Sequence, residues 1–143
     1  MKKLCVLWVV ALCGLVMGST ALADDLKAME GKWSIEKAEM NGEVIDPEAL
    51  KDVLVTITGE RYELLIKDTK DAGTIKLDEK QNPKTMDGTD TEGDDVGKVT
   101  KAIYELKGDT LRVCYATEGG ERPKEFATKP DSQLLLITYK REK

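Results

Sequence analysis

The chain has 143 residues, 41% of them hydrophobic and only 5% aromatic, which sets the scale of one ordinary domain and excludes a multidomain machine. With 22 Lys+Arg against 27 Asp+Glu the net charge is -5, the wrong sign for a protein that holds nucleic acid by neutralising phosphates. Histidine is absent, which removes His-based acid–base catalysis, Ser-His-Asp and Cys-His nucleophile pairs and most zinc chemistry.

The first element in chain order reads as an address. Lys2 and Lys3 form a short positive region, Leu4 to Val16 is almost wholly apolar, and Ala21-Leu22-Ala23 places small residues before Asp24-Asp25. This is the pattern of a secretory signal peptide over residues 1–23, with cleavage near Ala23. The apolar run is shorter than the roughly 20 residues that a bilayer core requires. Leu12 stands before Cys13 where a lipid-anchored protein has a small residue. The expectation is therefore a single domain over residues 24–143, exported to the periplasm or beyond, with no integral membrane anchor in the mature form. Cys5 and Cys13 leave with the signal, so Cys114 stands alone and forms no intramolecular disulfide; it reads as a small hydrophobe on a strand.

Beyond the signal, short runs of alternating or β-branched residues recur, each closed by Gly, Asn or Asp. The expected strands are Lys32 to Met40, ending at the Asn41-Gly42 turn, Val53 to Thr58, Arg61 to Lys67, and Gly73 to Asp78. A poorer extended stretch spans Lys84 to Asp87. Val99 to Lys107 and Thr110 to Thr117 follow, then Lys124 to Thr128 and Gln133 to Arg141. One short helix is expected after the first strand, because Asp46 suits an N-cap and Pro47 the first helical position.

Residues two apart share a face of a sheet. Val53, Val55 and Ile57 fall together, as do Tyr62, Leu64 and Ile66, Gly73, Ile75 and Leu77, Ala102, Tyr104 and Leu106, and Leu111, Val113 and Tyr115. Thr56, Glu63, Lys76, Lys101, Glu105 and Arg112 occupy the other face, which marks a sheet wet on one side. About eight short antiparallel strands with one dry face close most naturally into a barrel, which also removes exposed edges. A sandwich is the alternative. Eight strands enclose an interior that side chains can fill or that holds one small ligand.

Gly31-Lys32-Trp33 at the start of the first strand resembles the Gly-x-Trp signature of lipocalins. That resemblance implies a Trp that closes one end of the barrel and packs beneath a basic residue after the last strand, supplied here by Lys140 or Arg141. Gly31, Trp33 and Arg141 are accordingly assigned to barrel closure. The order Gly-x-Trp, Asn41-Gly42, Leu111-Arg112-Val113-Cys114-Tyr115, Arg122-Pro123-Lys124-Glu125-Phe126 and a closing apolar strand is similar to a family of exported lipocalin-like domains of unknown function, abundant in planctomycete bacteria. Pro83-Lys84-Thr85-Met86-Asp87 and Thr89-Asp90-Thr91-Glu92-Gly93 look like the middle section of the same family. The resemblance covers nearly all of residues 24–143 and implies an all-β, calycin-type barrel without an assigned activity.

The candidate chemistry is sparse. Asp87, Asp90, Glu92, Asp94 and Asp95 offer oxygen ligands among glycines, yet counting from Asp90 the places where an EF-hand has Gly and Glu hold Asp95 and Lys101, so a hydrated loop is expected and no metal site is assigned. Every acid falls at a water-facing strand position, a turn or a loop, so no catalytic residue is assigned; a carboxylate buried at the barrel mouth would be the mark of one. Tyr62, Tyr104 and Tyr115 all fall on the dry face and are the candidate ligand-binding residues. Their hydroxyls either meet a small amphipathic ligand or pair with backbone and cap a filled core. No cofactor is expected. Two functional classes follow: an exported barrel that takes up a small apolar or amphipathic molecule, and a non-enzymatic structural or protein-interaction module with a filled core.

Overall fold

Alternation along each strand is what closes this chain on itself. The computed structural model describes residues 24–143, and the expected signal peptide lies outside the described residues. Helix α1 (Asp24–Met29) leads into strand β1 (Gly31–Met40). A two-residue strand β2 (Glu43–Val44) and helix α2 (Pro47–Leu50) follow, then β3 (Val53–Thr58), β4 (Arg61–Ile66), β5 (Thr69–Asp78), β6 (Lys84–Glu92), β7 (Val99–Lys107), β8 (Thr110–Ala116) and β9 (Leu134–Arg141). Strands β1 and β3 to β9 pair antiparallel in sequence order, and β9 returns to β1, so eight strands form a closed up-and-down barrel. The fold is all-β and lipocalin-like. β2 is a spur hydrogen-bonded to β1.

The barrel closes along β1, whose residues from Trp33 to Met40 face β9 from Arg141 to Leu135, while Gly31 to Ser34 also pair with β3. The register on β9 shifts between Ile35 and Lys37, and a bulge of this kind bends a strand that must serve two neighbours. Asn41-Gly42 forms the expected turn, with φ of 51° and 83°, the paired positive values that a tight two-residue hairpin requires. The short helix after the first strand is also in place: the Asp46 side chain accepts from the Glu48 amide at 3.0 Å and Pro47 takes the first helical position.

Three elements differ from expectation. First, α1 buries Leu26 and Met29 in a short amphipathic turn where no element was expected. Second, the stretch expected to thin out after Asp87 continues as β6 to Glu92, paired on one side to β5 and on the other, as far as Thr89, to β7. Two flanking ladders satisfy its backbone and override the turn-forming Gly, Asp and Thr. Third, Lys124 to Thr128 is not a strand. It belongs to an irregular strap, residues 117–133, that crosses the outside of the barrel from β6 to the β1–β2 turn.

The strap explains why outward-facing residues are dry. Ile103 and Cys114 oppose each other on the outer face of β7 and β8, yet both are fully buried. Arg122 donates to the carbonyls of Ala102 at 2.8 Å and Met86 at 3.2 Å and pairs with Asp87 at 2.6 Å. Phe126 lies beneath the Arg112 guanidinium, 4.3 Å from its ring centre. Thr128 donates to Glu39 and accepts from the Gly42 amide. Cys114 is the buried free cysteine of this layer, its thiol pKa pushed up by burial.

Candidate functional site

The up-and-down order gives the barrel two unlike ends. The N-terminus of β1, the β3–β4, β5–β6 and β7–β8 turns and the end of β9 share one end, which α1 stoppers. The other end carries the β4–β5 and β6–β7 turns, α2 and the start of the strap, and it is open. Between them lies a hollow of about 380 Å³. At roughly 30 Å³ per water this is the space of about a dozen waters. The interior is not filled, and the volume sits within the range of small-molecule pockets.

Trp33 forms the floor. It is fully buried, its indole Nε1 donates to the Met29 carbonyl at 2.8 Å, and the Arg141 guanidinium stacks 4.3 Å from its ring centre. Arg141 also donates to the carbonyls of Ala28 and Glu30 and, through Nε, to Asp109 at 3.0 Å. Its planar fork therefore gathers the open carbonyls at the end of α1, a geometry an ammonium cannot copy. Gly31, at φ 131°, takes a conformation that disfavours a side chain, and a Cβ there would sit 3.1 Å from the Arg141 guanidinium. The structure thus brings Gly31, Trp33 and Arg141 together at the closed end.

α1 is tethered on its far side by Asp25. Its carboxylate accepts from Lys84 Nζ and from the Tyr104 hydroxyl, each at 2.8 Å. Burial works to raise the Asp25 pKa, but these hydrogen bonds outweigh it and hold the carboxyl below its ordinary value of 3.8. A folded-state pKa below the unfolded one contributes stability that is complete above about pH 4 and is lost as pH falls through the lowered value. The protection factors of the Ala28 and Met29 amides, exchange corrected for its intrinsic pH dependence, are expected to fall below about pH 4, before the barrel strands lose protection. Asp25→Asn is expected to show that loosened plug already at neutral pH and to flatten its acid dependence. Equal acid sensitivity in the variant would remove Asp25 as the cause.

The three tyrosines occupy different heights. Tyr104 is buried at the closed end with its hydroxyl on Asp25, and it does not line the hollow. Tyr62 and Tyr115 do line it. The Tyr62 ring lies over the backbone of β5 and β6: a Cβ on Gly73 would meet its ring and hydroxyl at 2.6 Å, whereas one on Gly88 would meet it at an ordinary 4.0 Å. Its hydroxyl donates to Asp90, and burial first, then that carboxylate, raises its pKa. Tyr115 meets Tyr139, a residue the sequence reading did not single out, hydroxyl to hydroxyl at 2.9 Å across the inner wall of β8 and β9. Burial holds the Tyr115 pKa well above 10 and pushes that of Tyr139 to about 12, so both stay protonated at any ordinary pH. The available signal for Tyr139 was the two-residue spacing of Leu135, Ile137 and Tyr139 along β9, which puts all three on the inner face.

The remaining lining is apolar, with Val55, Leu64, Ile75, Met86 and Val113 on the walls and Lys98, Thr100, Thr117 and Glu118 at the mouth. The sequence reading placed every acid toward water, and here the structure differs. Asp90 and Gly73 are register partners, as are Gly73 and Tyr62, so Asp90 turns inward at the mouth to receive the Tyr62 hydroxyl. Asp71, opposite Leu64, turns the same way and lies against Gly93. Of the acidic stretch, Asp87 to Glu92 is strand, and among the described residues no group of three or more acidic or Cys side chains is arranged to hold a metal ion. The large exposed hydrophobics Met40, Val44, Leu65, Ile66, Val96 and Val99 all belong to segments at the open end. Among the described residues no helix is long and apolar enough to cross a membrane. Neither the protein-family models nor the curated proteins compared with this chain contain a match.

Proposed function

We propose that the chain is an exported lipocalin-like binding protein that takes a small apolar or amphipathic molecule into its barrel through the open end. The observation that carries this reading is the hollow of about 380 Å³, walled by apolar side chains, floored by Trp33 and open opposite the floor. Burying apolar surface is the main source of affinity in such a space, at roughly 25 cal/mol per Å². The exposed apolar residues around the mouth fit an entrance for a poorly hydrated molecule.

The reading is non-enzymatic. Asp90 is a carboxylate at the mouth, but its contact is the Tyr62 hydroxyl, whose ring is seated on glycine backbone, and the pair makes a fixed polar wall. The leader pattern of residues 1–23 supports export, and the ordered motifs between Gly31 and the closing strand support kinship with the planctomycete-rich family. Titration with N-phenylnaphthylamine, a neutral dye that brightens in apolar surroundings, tests the reading. A saturable rise in emission with one site per chain is expected, and a linear response without saturation overturns it.

A further inference from the structure

We infer that the molecule held in the barrel carries a neutral hydrogen-bond acceptor, such as a ketone, ester or ether oxygen, which docks on the Tyr115–Tyr139 hydroxyl pair. This deepens the binding reading and rests on it. Each phenol brings one proton and can also accept. The two hydroxyls share one hydrogen bond at 2.9 Å, so one proton is engaged and the other is not. Among the described residues neither hydroxyl has another hydrogen-bond partner. Both residues line the hollow, and the wall around them is built from Leu111, Val113, Leu135 and Ile137. An unengaged donor in apolar surroundings is costly to leave without an acceptor.

The charge of the acceptor follows from the route and the surroundings. A carboxylate ligand would lose its hydration in an apolar space that offers no cation near the tyrosine pair. It would also pass the carboxylates of Asp71 and Asp90, which turn inward near the mouth, and Glu118 on its lining. A neutral oxygen meets neither penalty. The volume fits a molecule of about two fused rings, since apolar cavities of about 150 Å³ accommodate one benzene.

Isothermal titration of the full chain with acetonaphthone, ethylnaphthalene and naphthoate, three ligands of one skeleton, tests the inference. Acetonaphthone is expected to bind at least as tightly as ethylnaphthalene although water holds its carbonyl more strongly, and naphthoate is expected to bind most weakly. In the double variant Tyr115→Phe/Tyr139→Phe, acetonaphthone should weaken about tenfold, the worth of one buried hydrogen bond, while ethylnaphthalene holds or improves. Either single variant should lose less than the double, because the surviving hydroxyl, released from its partner, still donates. Retained ethylnaphthalene binding reports that the double variant is folded; if it does not fold, the ligand order in the unaltered chain decides. Acetonaphthone binding that is tenfold or more weaker than the hydrocarbon, naphthoate binding tightest, or a double variant that leaves acetonaphthone unchanged overturns the acceptor inference and leaves the binding reading standing. If none of the three ligands binds, both are overturned.

Discussion

Gly88→Phe is expected to weaken dye binding close to a hundredfold while the protein stays folded. Gly88 lies on β6 with its inner side on the hollow, and a Cβ there meets nothing closer than the Tyr62 ring at 4.0 Å. The new ring would occupy space that a ligand needs. Denying a ligand about 100 Å² of apolar contact costs ~2.5 kcal/mol, or close to a hundredfold in affinity. The same change removes a flexible residue from a strand and adds one that suits it, so the melting temperature should hold or rise. Gly73→Ala is the contrasting control. There the added methyl would collide with the Tyr62 ring and the Thr89 carbonyl, so a loss of about 2 kcal/mol or more in stability is expected from a far smaller substitution. If Gly88→Phe binds the dye as the original chain does, the hollow is not where the dye sits.

Trp33→Ala should be the most damaging single change to the closed end. Removing a fully buried indole leaves a large void, and such truncations cost about 3–5 kcal/mol, a large part of the 5–15 kcal/mol that holds a typical domain together. Two further contacts go with it: the Met29 carbonyl loses its donor and the Arg141 guanidinium loses the ring on which it stacks. Trp33→Phe keeps most of the packing and loses the donor, so it should fall between the two. Urea unfolding of the three proteins measures this order. A Trp33→Ala protein within about 1 kcal/mol of the original would mean that the floor is held by α1 rather than by the indole.

Much of this architecture could be read from the sequence because alternation is a local signal. The dry faces of Val55 and Ile57, of Tyr62 and Leu64, and of Leu111, Val113 and Tyr115 needed only the two-residue period of a strand. Height along the barrel needed the register. Tyr62, Tyr104 and Tyr115 look equivalent in sequence, yet one sits against glycine backbone near the mouth, one beneath α1, and one in a pair with Tyr139. Asp90 was hidden for a related reason. Met86, Gly88 and Asp90 alternate correctly, but Gly and Asp lower strand propensity; ladders on both sides hold β6 extended as far as Thr89, and the β5 ladder carries it on through Asp90. α1 has six residues, too few to display a helical period, and its signal is just Leu26 and Met29 three apart. The strap imitated a strand because its apolar residues pack from outside against β8, Phe126 at Arg112 and Ala127 at Cys114.

Asp24 and Arg141, where the described chain enters and leaves the barrel, matter for how the barrel would be displayed. Asp24 opens the helix that seals one end, and β9 finishes at Arg141 beside the same seal. Any covalent leash attached before the first of these residues or after the last would leave from that base, so a tethered molecule would hold its opening away from the anchor point. Immobilising residues 24–143 through either end of that segment should therefore leave uptake unimpeded, whereas cross-linking through Lys98 at the rim should obstruct it.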